Sequence, residues 1–98
     1  MIFLPMTIGF LQMDLLMRNT HSLKDKRSII SRIKNQIRAK YNVAVAEIDR
    51  NDQYRQCLLG ITTISNDHQI VNQTLNAVEK LVENCIEIQI VARKMEML

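Results

Sequence analysis

The sequence predicts an α+β domain of chain order β-α-β-β-α-β, with two helices on one face of a four-stranded antiparallel sheet. Two observations carry this reading. Apolar stripes with helical spacing run through 23–37 and 70–85, and each lies between stretches that alternate or are rich in β-branched residues. The only proline is Pro5 and the only glycines are Gly9 and Gly60, so no linker divides the chain. Ninety-eight residues, 47% hydrophobic and 23% charged, suit a single globular domain spanning 1–98. A chain of this size buries roughly 60–70% of the surface its unfolded form exposes.

The first strand is expected over 6–17, "MTIGFLQMDLLM", with Leu11, Met13 and Leu15 on one face and Phe10, Gln12 and Asp14 on the other. Ser22 is an N-cap candidate, and Asp25 three residues on completes an S-x-x-D box. Leu23, Ile30, Ile33 and Ile37 then form one apolar stripe of a helix that ends near Lys40. "NVAVAEID", 42–49, is a short strand; its reading puts Ala44, Ala46 and Ile48 inward and Val43, Val45 and Glu47 outward. "RNDQ" is a polar hairpin connection, followed by a strand over 54–65. "SND", 65–67, caps a second helix whose stripe is Ile70 or Val71, Leu75, Val78, Leu81, Val82 and Cys85. "IEIQIVAR", 86–93, is the last strand with Ile86, Ile88 and Ile90 inward; 94–98 is left as a tail.

Two crossovers flanking one hairpin make the split-βαβ, ferredoxin-like plan. Right-handed crossovers place both helices on one sheet face. The other face would carry Phe10, Gln12, Asp14, Val43, Val45 and Glu47, and its apolar end suggests a partner or self-contact surface. Phe10, Val43 and Val45 are the expected contacts of a homodimer.

Charge is the strongest functional signal. The net charge is +3, but residues 1–40 hold eight Lys/Arg against two acids, and residues 41–92 hold three against seven. Seven of the basic residues lie in 24–40, with Asp25 the only acid among them. At about 100° per residue, Arg27, Ser31, Lys34 and Arg38 line one helical flank and Lys24 joins its edge. Lys26 and Lys40 fall nearer the apolar border, where long stems can snorkel. Cations in a first turn oppose the helix dipole by about 0.3–1 kcal/mol each. Lys24, Lys26, Arg27, Lys34 and Arg38 are therefore the expected phosphate contacts, set against a merely solvated face. The aromatics are only Phe3, Phe10, Tyr41 and Tyr54, and the third strand lacks the K/R-G-F/Y-G/A-F pattern that stacks bases. Any RNA would be held by its phosphates and shape.

Other signals point away from chemistry. Glu47 and Asp49 share a strand face on this reading but have no third ligand or histidine nearby in sequence, so a hairpin solvated or bridged to Arg50, Arg55 or the basic helix is expected. His21 and His68 flank helix starts and read as turn or capping residues. Cys57 and Cys85 read as buried free thiols, since two cysteines make no secreted scaffold. No catalytic set, metal site or cofactor is expected. The apolar N-terminus has no basic lead and is interrupted by Pro5, Gln12 and Asp14, so no membrane span is expected and a cytoplasmic location is.

"HSLKDKRS" at 21–28, "NVAVAEID" at 42–49 and "LLGITTISND" at 58–67 together resemble the small bacterial YlxP-like proteins, a family of unknown function. The resemblance runs from about Met6 to Arg93. It implies a ferredoxin-like domain with no established activity, and genes that lie among those for transcription, translation initiation and ribosome maturation factors. Residues 1–5 then look like an N-terminal extension, with Met6 as a candidate start. Tyr54 stands where many members carry tryptophan, and "MRNT" lacks the Pro-Gly often found before His21. The combined expectation is a non-enzymatic domain that binds structured RNA or a ribosomal particle through its first helix.

Overall fold

The computed structural model describes residues 5–98. Most of the expected N-terminal extension, residues 1–4, lies outside the described residues. The elements follow the expected order: β1 Thr7–Met17, α1 Leu23–Lys40, β2 Ala44–Asp49, β3 Gln56–Ser65, α2 His68–Glu83 and β4 Ile88–Met97. The sheet order is β2-β3-β1-β4, antiparallel throughout. This is the ferredoxin-like α+β fold.

The core lies between the sheet and the helices. β1 contributes Leu11, Met13, Leu15 and Met17, and β3 contributes Cys57, Leu59 and Ile61. Onto these α1 places Ile30, Ile33 and Ile37, and α2 places Val71, Leu75, Val78 and Val82. Gly9 is dictated by close approach. A Cβ there would stand 2.5 Å from Val71 Cγ1 and 3.0 Å from Leu75 Cδ1, so a side chain would force these residues of α2 to shift.

Two irregularities overturn the simple alternation. In β4, Ile90 faces Leu15 while Ala92 faces Asp14, leaving Val91 as the extra residue of a bulge. Beyond it the inward residues are Arg93, Met95 and Met97, which pair with Met13, Leu11 and Gly9. The expected tail at 94–98 is therefore mostly strand, and Ile86, expected inward, precedes β4 and is 81% exposed. In β2, Ile48 is the extra residue between Glu47, opposite Leu59, and Asp49, opposite Leu58.

The faces of β2 are the reverse of those expected. Val45 is buried beneath the helix layer, whereas Ala44 and Ala46 lie on the open face. Val43 is half-buried against the core. The register explains it: Val45 sits opposite Ile61, whose neighbours Leu59 and Cys57 also point inward. Alanines and valines alternate without polarity, and the one polar residue among them, Glu47, points inward to Lys26, so the pattern named the wrong face.

Ile33 is fully buried at the centre of the α1 stripe. Ile33→Ala should cost about 2–5 kcal/mol by urea unfolding; a cost below about 0.5 kcal/mol would contradict this packing.

Candidate nucleic-acid interface

α1 begins as its sequence predicts. The Asp25 N–H donates to Ser22 Oγ at 3.0 Å. The Asp25 carboxylate reaches back to accept from the His21 N–H at 3.1 Å. Ser22 and Asp25 thus each satisfy one backbone donor, and Asp25 places a negative charge where the helix dipole favours it.

Lys26 departs from expectation. It is 1% exposed and cannot reach a phosphate. Its Nζ lies 2.6 Å from Glu47 Oε2 and donates to the Arg50 carbonyl at 2.6 Å. The contact with Glu47 is one of charge; that oxygen accepts no directed hydrogen bond. The spacing contained the signal. Lys26, Ile30, Ile33 and Ile37 recur at four, three and four, so the lysine occupies the head of the apolar stripe.

Arg50 links this ion pair to the far side of the sheet. It adopts φ 65, its N–H donates to Asp49 Oδ1 at 2.8 Å, and its guanidinium pairs with Asp14 on the open face. Because of the Ile48 bulge, Glu47 points into the helix layer while Asp49 pairs on the opposite face. The two acids expected to share a face are therefore separated. Cys57, directly behind Glu47, is fully buried. Burial, reinforced by the Glu47 carboxylate, pushes its thiol up to about 12. Cys85 is free as well but only half-buried, and burial raises its thiol too.

The structure brings the other four expected phosphate contacts onto one flank. Lys24, Arg27 and Arg38 are exposed, and Lys34 is half-buried beside them. From Lys24 to Arg38 the flank runs about 21 Å, at about 1.5 Å per residue. Arg38 Nη2 donates to the Val45 carbonyl at 3.0 Å, which ties the flank to the free edge of β2. Three other exposed cations have acidic partners: Arg32 with Glu87 at 2.6 Å, Arg93 with Glu79 at 2.6 Å and Lys94 with Glu96 at 3.4 Å. The Arg32 hydrogen bond holds the Glu87 carboxyl below its ordinary range. Among the described residues, Lys24, Arg27, Lys34 and Arg38 make no ion pair.

The open sheet face carries a shallow apolar groove lined by Phe10, Gln12, Ala44, Ala46, Ile48, Gly60 and Thr62. Of the expected partner contacts, Phe10 lies here, but Val45 is buried and Val43 packs against the core. His68 opens α2, whose cap is Asp67; the Gln69 N–H donates to its carboxylate at 2.9 Å. Among the described residues, no three His, Cys, Asp or Glu side chains are grouped to hold a metal. No helix among them is long and apolar enough to cross a membrane.

A family model described as a protein of unknown function, DUF503, matches residues 8–95, and the chain belongs to that family. It is 28% identical over 82 residues to the uncharacterized protein YlxP of Bacillus subtilis (strain 168), covering 84% of this chain and 89% of that protein. The de novo designed protein Foldit4 is similar in structure, with a TM-score of 0.52 and 14% sequence identity. The match covers 95% of this chain and 96% of that one, a likeness of fold alone.

Lys26→Met should leave the Glu47 carboxylate half-sequestered without its counter-ion and cost about 3 kcal/mol in urea unfolding. Adding Glu47→Leu should recover most of that stability, and failure to recover would mean that the pair is not the reason for the cost. Cys57 gives a pH signature. As pH rises from the ordinary thiol value of 9.0 towards about 12, the unfolded chain releases a proton that the fold retains. Its contribution is intact below that window and disappears across it. Cys57→Ala should flatten the fall in stability between those pH values, and unchanged steepness would contradict the assignment.

Proposed function

We propose that the protein binds structured RNA or a ribonucleoprotein through the exposed flank of α1, with Lys24, Arg27, Lys34 and Arg38 as phosphate contacts. The observation that carries the reading is the distribution of ion pairs. These four cations share one flank without carboxylate partners; Lys26, Arg32, Arg50, Arg93 and Lys94 are each matched to an acid, and the other unmatched cations, Arg18, Lys40, Arg55 and Lys80, form no such row. An exposed helix that needs only solubility usually mixes signs. A row of unmatched cations repels itself and gains when a polyanion displaces its counter-ions from the phosphates.

The sheet supports the same mode from the other side. Phe10 is the only aromatic lining the open groove, so it offers no platform for successive stacked bases. The reading is one of binding rather than catalysis, by phosphate position and RNA shape rather than base sequence. Ribosome assembly or translation in the cytoplasm is the setting that the family resemblance implies.

Replacing Lys24, Arg27 and Lys34 with Gln keeps side-chain length and most helix propensity. Stability should hold or rise slightly, because like charges near the helix start are removed. Retention on structured RNA should fall, and the slope of log affinity against log salt should shrink by up to about 0.9 for each phosphate interaction removed. Arg18, Arg55 and Lys80, all exposed, form the control triple. Equal retention by both triples at moderate salt would contradict the proposal.

A further inference from the structure

The open face of the sheet has the features of a self-complementary contact. Its groove is floored by small residues, Ala44 and Ala46 of β2 and Gly60 of β3. Over Gly60 lies the Ile48 side chain, so close that a Cβ on that glycine would meet Ile48 Cγ1 at 2.8 Å. Ile48 nevertheless remains 56% exposed, and Ile64 further along β3 is 54% exposed. Phe10 of β1 forms the opposite wall. Hollows and protrusions thus stand side by side on one face, as a twofold contact between identical surfaces requires.

Charge selects the occupant. The chain is net positive, but none of its cations lines the groove, and the row of four unmatched ones on α1 lies on the far side of the sheet from it. On the open face itself, Arg50 is neutralised by Asp14 and Lys94 by Glu96. A second copy can therefore approach sheet to sheet while both basic helices turn away from each other. An apolar centre with a polar rim is also the anatomy of a specific interface. Four strands about 4.8 Å apart and roughly nine residues long present about 570 Å² in projection. That is near the roughly 600 Å² per partner at the low end of specific complexes, which suits a reversible dimer.

We infer that the protein self-associates as a twofold dimer through this face, with Phe10 of one copy seated over Ala44 and Ala46 of the other. The two sheets stack about 10 Å apart, and the two α1 flanks stay outside. Self-association of this kind does not depend on nucleic-acid binding, and its test uses no nucleic acid.

Nuclease-treated protein is followed by sedimentation velocity up to roughly 100 µM, well above the micromolar limit typical of weak specific interfaces. Wild type should approach twice the chain mass as concentration rises. Ala46→Arg and, separately, Ala44→Glu should sediment as the single chain while keeping wild-type circular dichroism. On dilution of the unaltered protein, amide NMR shifts should change at Ala44, Ala46 and Gly60. A wild type that stays monomeric, a dimer that survives both substitutions, or dilution shifts confined to the helices would each overturn the inference. A monomeric wild type would leave the face to a different partner.

Discussion

A lysine ammonium buried between a carboxylate and a backbone carbonyl organises this fold. Lys26 Nζ draws together α1, through its own backbone, and the β2–β3 hairpin, through Glu47 and Arg50. Taking such a charge out of water costs several kcal/mol, and only a close counter-ion and hydrogen bonds offset it. The hairpin must therefore present Glu47 inward and the Arg50 carbonyl towards the helix. The Ile48 bulge and the left-handed backbone of Arg50 satisfy both requirements. Arg50 then turns its guanidinium through to Asp14, so one residue is fixed from the helix layer and from the open face.

That arrangement divides the basic residues of α1 into two kinds. Lys26 is used internally and Arg32 is matched by Glu87, while the flank facing the β2 edge keeps its cations unmatched. Arg38 also covers the Val45 carbonyl, one of the groups that an exposed edge strand would otherwise offer to another chain. The molecule thus has a positive helix side and a nearly neutral apolar sheet side. The proposed RNA contact uses the first and the inferred self-contact the second, so neither surface competes with the other.

The sequence was legible where one physical rule acted alone. Ser22 and Asp25 marked the start of α1, Asp67 that of α2, and the two aliphatic stripes gave both helices and, with them, the fold. It was misleading where a second effect intervened. A bulge inserts one residue and flips every later side chain, which hid Arg93, Met95 and Met97 on the inner face and split Glu47 from Asp49. In β2, alanine and valine left Glu47 as the only guide to its faces, and Glu47 is turned inward by Lys26. Lys26 was obscured by its type although its position in the four-three-four spacing was clear: a buried lysine is rare enough that residue identity outweighed geometry. The flank was visible as a charge stripe, but which cations of α1 find acids depends on contacts such as Arg32–Glu87, 55 residues apart.

Lys26 belongs to the fold, while its neighbours on α1 belong to the surface. Lysine-ammonium NMR during titration with a structured RNA tests both halves of that division at once. The Lys26 ammonium should exchange its protons slowly and keep its chemical shift, while those of Lys24 and Lys34 should exchange fast at first and then move as RNA is added. A freely exchanging Lys26 whose signal moves along with theirs would contradict the account.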